Sequence, residues 1–270
     1  TSSSTFSAAE NQTSIGTVTA TDADGDTLTY SLSGTDASSM TIGSSSGVLA
    51  FSSAPDYETK SSYIATVTAS DGTNSATQNI TVSITDVDDV APVFTSSSTF
   101  SAAENQTSIG TVTATDVDSS SISFSVSGSD LSMTTSGVLS FVSAPDYETK
   151  SSYTATVTAS DGTNSSTQNI TVNVTNVNDN TPSITSSSTF SAAENQTSIG
   201  TVTATDADGD TLTYSLSGTN ASSMTIGSSS GVLAFSSAPD YETKSSYSAT
   251  VTASDGTDSS TQNITVNVTN

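Results

Sequence analysis

The 270-residue chain contains no cysteine, no histidine and no tryptophan, and its only basic side chains are three lysines, Lys60, Lys150 and Lys244. Each absence closes off a class of chemistry. Without cysteine there is no disulfide frame and no thiolate metal site, so a small extracellular domain of this kind needs another staple, of which a bound metal is one. Without histidine or cysteine the usual general base and nucleophile are missing. Acids outnumber bases 27 to 3, a formal charge of −24, and that field repels nucleic acid and anionic membrane surfaces. No run is long and apolar enough to span a bilayer, and no signal peptide is visible.

What is present is repetition. The run TFSAAENQTSIGTVTATD occurs at Thr5–Asp22, Thr99–Asp116 and Thr189–Asp206, so three units of about ninety residues fill the chain, read as 1–90, 91–180 and 181–270. The second unit is four residues shorter between Asp116 and Phe141, a loss expected to fall in a loop. Thr1 lies in the run that leads into each repeat, and Asn270 falls before a closing proline motif. The chain therefore reads as a segment of a longer array.

In SYIATVTASD, Ser62 to Asp71, the residues Tyr63, Ala65, Val67 and Ala69 alternate with Ile64, Thr66, Thr68 and Ser70, the two-residue period of a half-buried strand. The repeats identify the inner face. Position 64 becomes Thr154 and then Ser248, as a solvent-facing position permits, whereas Tyr63, Ala65 and Val67 recur. The same alternation runs through Ile80, Val82 and Ile84, through Tyr30 and Leu32, and, with a shift near its start, through Ile15, Gly16, Val18 and Ala20; Gly47 leads into Leu49 and Phe51. Short β-rich segments between Gly, Ser and Asp turns, with no helical period, predict an all-β chain of Ig-like sandwiches with about seven strands per repeat.

The acids fall at fixed places: Glu10 in AEN, Asp22 and Asp24 in TDAD, Asp56 and Glu58 in PDYE, Asp71 in ASDG, and Asp86, Asp88 and Asp89 in DVDDVAP at the repeat joint. On an extended segment Asp56 and Glu58 would point the same way, with Tyr57 toward the core, and carboxylates aimed at one spot repel unless a cation lies between them. A donor set made only of oxygen favours a hard ion in irregular geometry, which is Ca²⁺. DADGD is not an EF-hand loop, because its twelfth position counted from Asp22 is Ser33 rather than glutamate.

Taken in order, AEN, DxD, DYE, ASDG and the linker NVNDNTPSI, Asn176 to Ile184, resemble the cadherin repeat, and the resemblance covers practically the whole chain. It implies three tandem Greek-key β-sandwiches in an elongated rod, with calcium held between consecutive repeats by the base of one, the linker, and the top of the next. Carried onto this sequence, it implies Glu10, Asp56, Glu58, Asp88, Asp89, Asp116, Asp118 and Asp161 as metal ligands at the first joint. At the second it implies Glu104, Asp146, Glu148, Asn178, Asp179, Asp206, Asp208 and Asp255. Three departures from the pattern stand out: Asp88 replaces the usual Asn, Val90 replaces the final Asn and is expected to offer its backbone carbonyl, and Asn176 replaces the leading Asp. Asp26 and Asp210 lie near a further oxygen-ligand position where repeat 2 has Ser119 to Ser121, and Gly72 comes one residue early after Asp71. Asp22, Asp24 and Asp71 have no preceding linker, and Glu194, Asp240 and Glu242 no following one, so these half-sites are expected to bind weakly or not at all.

The implied function is that of a calcium-dependent adhesin or surface-protein segment, extracellular and at the cell surface. The near-identical repeats, the Ser/Thr richness and the absence of Trp and Arg resemble the extender regions of bacterial giant adhesins. Calcium and neighbouring repeats are the expected partners, with another adhesin chain or a surface glycan as further candidates; no nucleic acid and no direct membrane insertion are expected. The alternative is a carbohydrate- or protein-binding module using the sandwich faces or loops. An enzyme is not expected, since the paired carboxylates recur at every joint instead of once in a cleft. Thr17, Thr19 and Thr21 could suggest an ice-facing row, but a polar outer strand face explains them more simply. Triplets such as Asn79-Ile80-Thr81 match the glycan-acceptor pattern and arise by chance in so threonine-rich a chain.

Overall fold

A computed structural model describes residues 3–270; Thr1 and Ser2, where the leading run begins, lie outside the described residues. The first repeat forms β1 (Thr5–Ala9), β2 (Ser14–Thr17), β3 (Thr29–Ser33), β4 (Met40–Ile42), β5 (Val48–Phe51), β6 (Ser62–Ser70) and β7 (Ser75–Thr85). They make two sheets, β1-β7-β6-β3 and β2-β5-β4. β1 runs parallel to β7 and every other pairing is antiparallel. β4–β5 and β6–β7 are hairpins, and every other pair of consecutive strands crosses between the sheets.

The period-two pattern decides what lies between the sheets. Ala65 and Val67 of β6, Ile80, Val82 and Ile84 of β7, and Leu49 and Phe51 of β5 point inward and are buried, while Ile64 on the opposite face of β6 is 50% exposed. Burial at this density supplies most of the folding free energy, at about 25 cal/mol per Å² of apolar surface. Phe51 meets Tyr63 edge to face, ring centroids 5.0 Å apart, and Lys60 lies 4.7 Å above the Tyr63 ring. The shift expected near the start of the second strand is a bulge: the β2–β5 register slips between Ser14 and Gly16. Beyond β2, the Val18 N–H donates to the Gly47 carbonyl at 2.9 Å. Gly47 sits at φ 66, and a Cβ there would lie 2.1 Å from the Val18 carbonyl oxygen, so only glycine fits.

The chain packs as two compact units, and the division runs through the middle repeat. One unit joins repeat 1 to Gly110–Leu139 and Ala155–Ile170; the other holds Thr99–Ile109, Ser140–Thr154 and Thr171–Asn270. Within the first, Ser123–Val126 pairs antiparallel with the end of Ser152–Ser160. Within the second, Thr99–Ala103 pairs parallel with the end of Ser165–Thr175, and repeat 3 rebuilds the sheets of repeat 1 around Leu233, Val251, Ile264 and Val266. Each linker end adds a two-residue strand: Val93–Phe94 pairs with Ala114–Thr115, and Ser183–Ile184 with Ala204–Thr205. These short pieces exceed the seven strands per repeat read from periodicity, because two residues carry no period. Among the described residues no helix is long and apolar enough to cross a membrane.

One local expectation is corrected. Asp56 to Glu58 is not an extended segment but a turn: the Lys60 N–H donates to the Asp56 carbonyl at 2.9 Å, and Asp56 accepts Thr59 N–H at 3.1 Å and its hydroxyl at 2.9 Å. A short acid with a threonine three residues on satisfies the turn's own donors, and this local bonding overrides the two-residue alternation. Tyr57 does pack against the core, but its counterparts Tyr147 and Tyr241 are exposed.

Candidate metal centres at the repeat joints

Both joints are built around a buried glutamate. Glu10, 3% exposed, follows β1, and its two carboxylate oxygens accept the Tyr57 N–H at 2.7 Å and the Val87 N–H at 2.8 Å. Glu104, also 3% exposed, does the same with Tyr147 and Val177 at 2.8 and 2.7 Å. One carboxylate thus ties the base of its own repeat to the linker through two backbone N–H donors.

The top of the following repeat grips the linker from the other side. Asp118 Oδ2 accepts the N–H groups of Asp89 and Val90 at 2.9 and 2.8 Å, and Asp208 Oδ2 those of Asp179 and Asn180 at 3.0 and 2.8 Å. Asp116 and Asp161 each spend Oδ1 on backbone N–H groups of their own loops, as does Asp255. Their second oxygens are a different matter. Asp116 Oδ2, Asp118 Oδ1, Asp161 Oδ2, Asp206 Oδ2, Asp255 Oδ2 and Asn178 Oδ1 are buried with no hydrogen-bond partner. A buried oxygen acceptor without a partner is costly and rare, and six of them at two joints, all oxygen and most of them anionic, fit a hard divalent cation such as Ca²⁺.

The acids also cluster. At the first joint Glu10, Glu58 and Asp89 bring one oxygen each to within 4.8 Å of one another; at the second Glu104, Glu148, Asp179 and Asp208 do so. Asp206, Asp208 and Asp210 form a further group, as do Glu194, Asp240 and Glu242 in repeat 3. Asp56 and Asp146 belong to neither joint cluster; both cap their own turns, with Thr59 and Thr149. Asp88 accepts the Thr163 hydroxyl at 3.1 Å. At the top of repeat 1, Asp22 Oδ1 accepts the N–H groups of Asp24 and Asp26, and Asp71 Oδ1 those of Thr73 and Asn74.

Proton affinities follow this crowding. A backbone hydrogen bond within its own turn pulls the Glu58 pKa down, yet burial and the charges of Glu10, Asp86 and Asp56 outweigh it and the net shift is upward. Burial, then Glu10, Asp118, Asp88 and Asp89, raise Asp86; burial, with Glu104 and Asp208, raises Glu148. Asp116 and Asp118 lie close enough to contend for one proton, which raises the first and lowers the second. For Asp208, burial pushes up, but bonds from the Asn180 side chain and backbone carry it below the ordinary value.

Periodicity and charge missed one contributor. Asn11 and Asn105 adopt φ of 59 and 62, a left-handed conformation that asparagine tolerates, and each side-chain amide donates to a linker carboxylate, Asp89 or Asp179. The recurrence of AEN was the available signal.

Comparison with known proteins agrees with this geometry. A family model described as Cadherin domain matches residues 4–85, 98–175 and 188–269. Mouse cadherin EGF LAG seven-pass G-type receptor 2 is 31% identical over 251 residues, 83% of this chain and 9% of that protein; Drosophila melanogaster cadherin-99C is 30% identical over 263 residues, 90% of this chain and 15% of that protein. Among solved structures, mouse cadherin-23 EC22-24 superposes with a TM-score of 0.79 at 27% identity, covering 98% of this chain and 95% of that one. The chain belongs to the cadherin family, as three tandem cadherin domains. It spans under a fifth of the length of these curated relatives.

Proposed function

We propose that this segment is a calcium-dependent extracellular stalk, in which each joint between repeats is set by Ca²⁺ so that the array carries an adhesive region away from the cell surface. The observation that carries this reading is the set of buried, unpartnered carboxylate and amide oxygens at both joints. Glu10, Glu58, Asp88, Asp89, Asp116, Asp118 and Asp161 would hold the ion or ions at the first joint, and Glu104, Glu148, Asn178, Asp179, Asp206, Asp208 and Asp255 at the second. Asp56 and Asp146, bound to their own threonines, would contribute chiefly by shaping the turn that presents Glu58 and Glu148. When bound, calcium supplies positive charge shared by carboxylates of two repeats.

The chain's own residues account for the rest. Glu10 and Glu104 fix the linker to the repeat before it, and Asp118 and Asp208 fix it to the repeat after it. Carboxylates from both sides then face one another with no basic residue among them, so without counter-charge the joint is strained by repulsion. With a ligand that binds only the folded joint, stability rises with its concentration. The deciding experiment is a calorimetric calcium titration of the 270-residue chain, paired with thermal melts in calcium and in chelator. Strong binding with a large rise in melting temperature is expected, with a longer maximum dimension in small-angle scattering. No binding and an unshifted melt would leave the carboxylates as solubilising charge and overturn the reading.

A further inference from the structure

The two joints reach the same carboxylate count by different routes. Repeat 1 and its linker bring six acids to the first joint, Glu10, Asp56, Glu58, Asp86, Asp88 and Asp89, and the top of repeat 2 brings three, Asp116, Asp118 and Asp161. Repeat 2 and its linker bring only four, Glu104, Asp146, Glu148 and Asp179, but the top of repeat 3 brings five, Asp206, Asp208, Asp210, Asp255 and Asp258. Each joint totals nine. Two acids of the first linker, Asp86 and Asp88, are amides in the second, Asn176 and Asn178, while Ser120 and Asn164 of repeat 2 become Asp210 and Asp258 in repeat 3.

The structure supplies the contact behind one of these exchanges. At the first joint the Asn164 side-chain amide donates to the Asp88 carbonyl at 3.2 Å and reaches its carboxylate at 3.5 Å, beside the Thr163 hydroxyl at 3.1 Å. At the second joint the same places hold the amide Asn178, its Oδ1 buried without a partner, and the acid Asp258. The linker amide at Asn176 is also used: it donates to the Asp208 carbonyl at 2.8 Å, which the carboxylate of Asp86 cannot do.

We propose that each linker is matched to the repeat that follows it by an acid set against an amide, Asp88 with Asn164 and Asn178 with Asp258, so that the repeats are not interchangeable. In the opposite order the first linker would meet the top of repeat 3 with six and five acids, and Asp88 would face Asp258. The second linker would meet the top of repeat 2 with four and three, and Asn178 would face Asn164. Near-identical sandwiches would thus be ordered by their joints, through avoidance of like charge.

The test is a double-mutant cycle on the 270-residue chain, melted in chelator and in calcium. Asn164→Asp is expected to lower the chelator melting temperature by about 2–4 °C when residue 88 is Asp, and by less than half of that when Asp88→Asn is also present. Asn178→Asp should behave in the same way at the second joint, relieved by Asp258→Asn, and serves if the first pair fails to fold. An Asn164→Asp cost that is the same in both residue-88 backgrounds, or an Asn178→Asp cost unmoved by Asp258→Asn, overturns the matching. Only the calcium arm rests on the calcium reading. Coupling without calcium stabilisation would sink that reading and leave this one standing, and calcium stabilisation without coupling would do the reverse.

Discussion

The bodies of the repeats and the joints between them are built on opposite principles. Inside each sandwich, aliphatic side chains from two sheets bury one another; Leu49, Val82, Leu233 and Val251 have no exposed surface, and the backbone is satisfied by strand pairing. At the joints, polar groups are buried instead, and several carboxylate oxygens have no partner in the chain. A body therefore carries its own stability, whereas a joint, on the proposed reading, draws part of its stability from a bound cation. The two kinds of region should respond differently to mutation, calcium and pH.

The largest effect should come from a body. Leu233→Ala leaves a cavity in the third core and should cost about 3–5 kcal/mol, equally in calcium and in chelator; a cost that depended on calcium would blur the distinction. Next is the buried glutamate of a joint. Glu104→Ala strips acceptors from the Tyr147 and Val177 N–H groups and should cost about 2–3 kcal/mol in calcium, read by thermal melting. Glu104→Gln should be destabilising in calcium but much less so in chelator, where removing one charge from the Glu104, Glu148, Asp179 and Asp208 cluster offsets the loss of one of the two backbone hydrogen bonds, since the glutamine NH2 cannot accept.

The pH response depends on which carboxylates are raised and which are lowered. Glu58, Asp86, Asp116 and Glu148 have raised values in the folded joints. The folded state therefore binds their protons more tightly, and this contribution to stability is full below the unfolded values and lost as pH rises through the folded ones. In chelator the melting temperature should climb as the solution is acidified from neutrality. In calcium it should fall over the same range, because protons displace the ion. Asp36, Asp56 and Asp146 have lowered values, from bonds to Lys60, Thr59 and Thr149 respectively. Their contribution holds above the unfolded carboxylate value and is lost only at still lower pH, so stability in chelator should pass through a maximum. A monotonic fall with acid in chelator would contradict the raised values.

The smallest effect distinguishes repeat 1 from repeat 3. Asp36 pairs with Lys60 at 2.5 Å and accepts the Ile64 N–H at 2.8 Å; in repeat 3 Asn220 accepts the Ser248 N–H at 3.0 Å. Asp36→Asn keeps the backbone bond and loses only a half-exposed ion pair, so about 1 kcal/mol or less is expected by urea unfolding, independent of calcium.

Much of this was legible in the sequence. The tandem architecture followed from the recurrence of TFSAAENQTSIGTVTATD, and the inner faces of the strands from the constancy of Tyr63, Ala65 and Val67 beside the drift at Ile64. Both depend on local patterns repeated three times, which a linear reading detects directly. The acids assigned to the joints were implied by the resemblance of the ordered motifs to the cadherin repeat, but which oxygens of each are already spent was not. Asp56 looks like Glu58 in the sequence, and only the turn closed by Thr59 and Lys60 separates the residue that caps from the one that points into the joint.

Alternation along the chain thus determined the sandwich, because a strand with one apolar face has few ways to bury it. Tertiary structure alone decided which carboxylate oxygens are spent on backbone N–H groups and which are left buried without a partner. That outcome depends on atoms brought together from a turn, a linker and the next repeat, tens of residues apart, and no local pattern encodes their distances.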